Sequence, residues 1–276
     1  MSREAAPVRV ACQIDREQGL HADAPTVLLS NSLGSTMSMW DAQIPVLARH
    51  GSVLRYDTRG HGRSPVPDGP YSIDDLCDDV VRLLDSLSID RVHAVGLSLG
   101  GMTMMRLAAR FPDRVERLAV LCTSAFLEPL QGWLDRAALV RAQGSQAVAE
   151  AVVARWYTPE FRAAEPERTQ AAVAMIASTP AEGYAGCCEA IASMDLRPDL
   201  ASISAPTLAI AGGDDPATPP PHLSLIADAV PDGRLLVVPQ AAHLANDEQP
   251  DIVTAALLDH LALAKPVVAD AVHPHA

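Results

Sequence analysis

The chain has 276 residues, enough for one sizeable hydrophobic core and at the upper end of a single domain. Hydrophobic residues make up 49% of it, which excludes a disordered or low-complexity polymer. Lys and Arg number 21 against 34 Asp and Glu, a net charge of −13; this argues against nucleic acid, which needs a basic face, but not against a small anionic substrate in a locally positive pocket.

Met1 to Val10 carries Arg3 and Glu4 and no apolar run, so no secretory leader is expected. Val27 to Ser30 and Val53 to Tyr56 read as short buried strands. Between Asp75 and Leu87, the apolar residues Leu76, Val80, Leu83, Leu84 and Leu87 fall at helical spacing. Arg91 to Gly96 is a strand, Gly101 to Phe111 a helix stopped by Pro112, and Leu118 to Leu121 another strand. Strands alternating with helices imply right-handed crossovers and a mostly parallel sheet.

From about Phe126 to Pro198 the strand pattern stops, and an Ala-, Arg- and Glu-rich stretch containing Trp133 and Trp156 reads as helices. Strands resume at Thr207 to Ile210 and at Leu235 to Val238, and a last helix is expected over about 250–264, before a loose tail. The expected organisation is a core of residues 1–125 and 199–276, with 126–198 inserted as a helical cap. No apolar run reaches the length of a membrane span. The five cysteines (Cys12, Cys77, Cys122, Cys187, Cys188) have no zinc-ligand spacing and suggest no disulfide framework, which suits a reducing cytoplasm. Neither a metal nor another cofactor is expected.

Gly96-Leu97-Ser98-Leu99-Gly100, followed by Gly101, is a G-x-S-x-G element between a strand and a helix. In that context it predicts a sharp turn that lifts the Ser98 hydroxyl above the sheet. Close approach of strand and helix demands very small neighbours there. The helix then aims its first amides at the place where negative charge develops on a reacting carbonyl.

A serine hydroxyl needs a base, and chains with this elbow supply it in the order serine, acid, histidine. His243 follows the Leu235–Val238 strand in a short loop, at the sheet edge where the elbow lies. His222, in a proline-rich helix start, and His260, in the last helix, read as surface residues, and His93 as a satisfied core histidine. Asp214 and Asp215 compete for the acid role; the usual spacing, three residues past Gly212 and directly before a proline, favours Asp215, with Asp214 as a turn residue. Its task is to fix the histidine tautomer and stabilise the imidazolium. The expected oxyanion donors are the backbone amides of Leu99 and, in the loop after the first strand, Leu33. Asp57 and His61, in the polar run Arg55 to Ser64, read as residues of a charged turn that braces neighbouring loops.

With these residues in place the chain resembles the α/β-hydrolase superfamily over nearly its whole length. A narrower likeness, to the 3-oxoadipate enol-lactonases, rests on Leu29-Ser30-Asn31-Ser32-Leu33-Gly34-Ser35, Met39-Trp40-Asp41, Leu54 to Gly62 and Gly69 to Ile73. Arg155-Trp156-Tyr157-Thr158, Glu182-Gly183-Tyr184, Cys188 to Ile191, Asp195 to Pro198 and Ala242 to Pro250 extend it. Many relatives carry His-Gly where this chain has Asn31-Ser32. The resemblance implies hydrolysis of a five-membered enol-lactone bearing a carboxylate, in the protocatechuate branch of aromatic degradation. It implies a pocket tryptophan at Trp133, with Trp156 as a weaker candidate, and Arg136 is the expected partner of the substrate carboxylate. A carboxylesterase or cofactor-free perhydrolase using the same three residues is the alternative, and a catalytically idle binding protein a more distant one. Self-association is left open.

Overall fold

The computed structural model describes residues 8–21 and 23–263. The expectation about a leader, made for residues 1–10, falls largely outside the described residues, and that about the loose tail falls wholly outside them. The strands are β1 (Cys12–Asp15), β2 (Thr26–Ser30), β3 (Ser52–Tyr56), β4 (Val92–Leu97), β5 (Val115–Leu121), β6 (Thr207–Gly212) and β7 (Gly233–Val238). They form one sheet in the order β1-β3-β2-β4-β5-β6-β7. Only β1 runs antiparallel, pairing with β3; the other neighbours are parallel.

The central strands are buried on both faces, as continuous runs such as Val27-Leu28-Leu29 and Leu118-Ala119-Val120-Leu121 require. Helices α1 (Ile44–Leu47), α2 (Ile73–Ser86), α3 (Leu99–Arg110), α9 (Pro220–Ala229), α10 (Ala245–Glu248) and α11 (Pro250–His260) connect or follow these strands. Between β5 and β6 run five more: α4 (Leu130–Gln143), α5 (Gln146–Trp156), α6 (Pro159–Ala164), α7 (Pro166–Ala177) and α8 (Ala181–Ser193).

Element bounds depart from expectation where caps decide them. α2 begins at Ile73, not Asp75, because Ser72 and Asp75 form a capping box: the Asp75 amide donates to Ser72 Oγ at 3.1 Å and the Ser72 amide to Asp75 Oδ2 at 2.8 Å. α3 begins directly after Ser98, and α11 ends at His260 rather than near 264. β1 was not expected from the sequence: Cys-Gln-Ile-Asp is a half-exposed edge strand with no apolar run, held by its pairing to β3.

His222 and His260 are not the surface residues expected. His260 is 1% exposed, its Nε2 donating to the Leu118 carbonyl at 2.8 Å while Nδ1 faces Arg234 Nη2 at 3.2 Å. His222 is half-buried, with Nδ1 2.9 Å from Ser124 Oγ. Both corrections have one cause: α9 packs against β6 and β7, and α11 contacts β5, so helix periodicity turned these side chains inward. His93 is buried as expected, but its Nδ1 has no hydrogen-bond partner among the described residues. All five cysteines are unpaired. No described helix is long and apolar enough to cross a membrane.

Candidate active site

Sheet register brings the candidate residues to one edge. Between β3 and β4 the chain crosses to the other side of β2, so the loops after β2 and β4 diverge at a topological switch point, where open α/β sheets place ligands. Ser30 pairs with Gly96, which sets the Asn31–Ser35 loop beside the Ser98 turn. Gly212 pairs with Val238, which sets the Asp215 loop beside the His243 loop.

Ser98 sits at φ 56° and ψ −117°, a strained backbone for a residue with a side chain, and Met102 N–H bonds back to its carbonyl at 3.0 Å. The turn is held by contact that only glycine permits. A Cβ on Gly96 would lie 2.3 Å from the Gly100 carbonyl oxygen, and one on Gly100 would lie 2.3 Å from that of Ser30. Thr123 Oγ1 donates to the Ser98 carbonyl at 2.7 Å, tying the turn to the end of β5.

His243 Nδ1 lies 2.8 Å from Asp215 Oδ2. Both residues are buried, at 4% and 3% exposure. Burial works to raise the Asp215 pKa, but the facing His243 charge and hydrogen bonds from His243, Thr218 and Ala217 outweigh it and hold the carboxyl below its usual range. Asp214 is exposed, with its amide on the Ala241 carbonyl at 2.9 Å. Thr218 Oγ1 donates to Asp215 Oδ2 at 2.7 Å, a further bond that sequence reasoning missed.

The histidine loop is tied to the inserted helices. Leu244 N–H donates to the Trp156 carbonyl at 2.9 Å, and Glu248 accepts from the amides of Ala242 and Thr158 and from Thr158 Oγ1. Glu248 was not legible as a site residue, because it looks like an ordinary first-turn carboxylate.

Ser98, His243 and Leu33 line one cavity together with Trp133, Arg136 and Trp156. Leu99 is not on its wall; its amide is a first-turn donor of α3 directly after Ser98, and none of the hydrogen bonds among the described residues uses it. The amides flanking that of Leu33 are occupied, Ser32 by Met39 Sδ at 3.3 Å and Gly34 by His61 Nε2 at 3.0 Å. None of the described hydrogen bonds uses the Leu33 amide itself.

The cavity also holds Arg155 and Tyr184, which the sequence reading passed over. Arg136 lies over the Trp133 ring, 4.7 Å from its centroid. Neither arginine has a carboxylate within ion-pair distance among the described residues. Burial, then the like charge of Arg136, lowers the Arg155 pKa. Tyr184 is fully buried beside Arg136, and among the described residues its hydroxyl has no partner in good hydrogen-bond geometry. The arrangement can offer a hydroxyl, an imidazole with an oriented tautomer and two cations to one small molecule. A wider surface groove lined by Thr158, Phe161, Asp214 and Gln249 includes neither Ser98 nor His243. Among the described residues no cluster of three or more His, Cys, Asp or Glu is placed to hold a metal.

Comparison with known proteins agrees with this geometry. Residues 25–250 match the family model described as alpha/beta hydrolase fold. The chain is 43% identical over 229 residues to 3-oxoadipate enol-lactonase 2 of Acinetobacter baylyi, covering 83% of this chain and 85% of that one. The crystal structure of the enol-lactonase from Burkholderia xenovorans LB400 superposes with a TM-score of 0.89 at 42% identity, covering 92% and 96% of the two chains. A thermophilic esterase from Thermogutta terrifontis, solved with malate bound, gives 0.85 at 28% identity over 92% and 93%. A strained serine at a strand-to-helix turn, the sheet that carries it and a family match over most of the length lead to one conclusion: this chain belongs to the α/β-hydrolase fold family, and it is a hydrolase.

Proposed function

We propose that the protein opens the ring of 3-oxoadipate enol-lactone, with Ser98 as nucleophile, His243 as general base and acid, and Asp215 orienting the imidazole. Residues 126–198 serve as a cap that shapes the pocket over a core of the remaining chain. The observation that carries the reading is the meeting of Ser98 and His243 with two arginines lacking carboxylate partners in one cavity. A lactone that bears a free carboxylate suits both halves of that cavity. The names of the relatives support the same substrate.

In the acylation step Ser98 Oγ attacks the lactone carbonyl as His243 takes its proton, the nitrogen facing Asp215 being Nδ1 and the acting one Nε2. The carbonyl oxygen becomes an oxyanion held by the Leu33 and Leu99 amides. Collapse breaks the ring C–O bond; the enol oxygen leaves with the proton returned by His243, and the enol becomes a ketone. The opened chain stays bound to Ser98 as an ester. Water, deprotonated by His243, then releases 3-oxoadipate. Because the enol oxygen is a good leaving group, positioning and charge stabilisation are the main work. Arg136 and Arg155 hold the carboxylate, while Trp133 and Trp156 pack on the ring.

The likeness to the Thermogutta esterase favours a second reading, a carboxylesterase acting on simple esters through the same residues. Following the ultraviolet loss of the enol-lactone, beside hydrolysis of p-nitrophenyl acetate, separates the two. The lactone should be turned over with a kcat/KM at least ~10²-fold higher; parity between them would refute the lactonase assignment.

A further inference from the structure

The polar loop after β3 has a construction that a bracing turn alone does not need. Gly60 and Gly62 both take positive φ, at 76° and 51°, on either side of His61. A Cβ on Gly62 would lie 2.3 Å from Asp57 Oδ2, and one on Gly60 would lie 2.2 Å from Gly183 Cα in α8. The chain is thus folded tightly around two side chains, and both point at the segment that follows β2. Asp57 Oδ1 accepts from Met37 N–H at 2.8 Å, and His61 Nε2 accepts from Gly34 N–H at 3.0 Å.

The protonation of His61 follows from its partners. Nδ1 lies 3.1 Å from the Arg59 carbonyl oxygen, which can only accept, so Nδ1 carries the proton. Nε2 is therefore the bare nitrogen that the Gly34 amide requires. Burial favours this neutral ring, working against the Arg59 carbonyl and the Asp57 charge, and the side chain is 1% exposed. Gly34 itself has φ 80°, a backbone set by this contact and by the ring of Tyr184, 3.0 Å from where a Cβ would stand.

We infer that His61 is a positioning residue for the oxyanion site, its neutral Nε2 locking the Gly34 amide and with it the adjoining Leu33 amide toward the carbonyl that Ser98 attacks. The inference rests on Leu33 being an oxyanion donor, but not on which ester or lactone is the substrate. His61 touches no reacting atom; it removes the rotational freedom that would let the Leu33 peptide turn away, so that the donor need not be reoriented during the reaction.

The test compares His61→Asn, which keeps a donor for the Arg59 carbonyl but is too short to reach Gly34, with His61→Gln, whose amide oxygen can reach it. The readouts are kcat and KM on p-nitrophenyl acetate, inhibition by an aryl trifluoromethyl ketone and binding of glutarate. The ketone forms an anionic hemiketal on serine, whereas glutarate occupies the pocket without one. His61→Asn should lose roughly 10- to 10³-fold in kcat, up to the cost of removing one oxyanion donor. Affinity for the ketone should fall by a similar factor, with KM and glutarate binding within about twofold, and His61→Gln should recover most of the loss. Unchanged ketone affinity in a folded His61→Asn protein would overturn the inference, as would equal weakening of ketone and glutarate. Should His61→Asn fail to fold, ¹⁵N NMR of the wild-type ring decides: a proton on Nε2 at pH 7 overturns it, and a bare Nε2 supports it. If the wild-type protein forms no hemiketal at all, the serine-hydrolase reading fails, a result distinct from either.

Discussion

Replacing Arg155 by Met keeps most of the aliphatic stem and removes the charge, which makes it a direct probe of the pocket's two cations. Arg155 is half-buried, and burial together with the nearby charge of Arg136 disfavours its ionised form when no anion is bound. An anionic ligand supplies the missing counter-charge. Hydrogen bonds to a charged group contribute about 1.5–3 kcal/mol. At 1.36 kcal/mol per factor of ten, that corresponds to a fall of roughly 10- to 150-fold in kcat/KM on the enol-lactone. On uncharged p-nitrophenyl acetate the same variant should stay within about twofold. Because an unmatched, half-buried cation is removed, the thermal midpoint of the unliganded protein should rise. Steady-state rates on both substrates and a thermal unfolding scan give the answer. Equal losses on the lactone and the neutral ester would refute the reasoning, since they would show damage to the reacting centre and not loss of carboxylate recognition.

Asp215→Asn should lower kcat by roughly 10³–10⁴-fold, because the amide can hold the wrong imidazole tautomer, whereas Asp214→Asn should stay within about twofold; steady-state rates on the enol-lactone distinguish the two, and a larger effect at 214 would reverse the assignment. His260 gives a stability prediction with a defined sign. Burial lowers its pKa from 6.5 to about 4, so between those values the unfolded chain binds a proton that the folded one does not. Stability is therefore lost as pH falls through this window, by up to about 3 kcal/mol for the 2.5-unit difference. His260→Gln, able to donate to Leu118 and accept from Arg234, should lack that component. Urea unfolding of both proteins at pH 7 and pH 4 checks this, and a constant difference between them would show that the histidine is not the cause.

The strand-helix alternation, the elbow at Ser98 and the histidine in the Gln240–Leu244 loop were legible because each is local. Hydrophobic periodicity reports burial of a short segment, and a glycine-flanked serine reports one tight turn. Spacing to Gly212 and Pro216 singled out Asp215 over Asp214, and it is the Asp215 carboxylate that faces His243 Nδ1. Residues whose roles depend on distant partners were not. Arg155 on α5 has the look of any solvated helical arginine, and Tyr184 and Glu248 of ordinary helix residues; only packing turns the first two into the wall beside Ser98 and sets Glu248 under the Ala242 amide. His260 failed for the same reason in reverse, since the apolar pattern of α11 does not say that its last residue faces the Leu118 carbonyl.

By itself, then, the sequence determined the order of elements, the serine turn and the strand-ending loops that carry Asp215 and His243, because backbone sterics and burial act over a few residues. The tertiary structure alone decided the register of β2, β4, β5, β6 and β7, and so that Ser98 and His243, more than a hundred residues apart, share one cavity. Sheet order and register are long-range properties, set by the packing of the whole core and carried by no single segment.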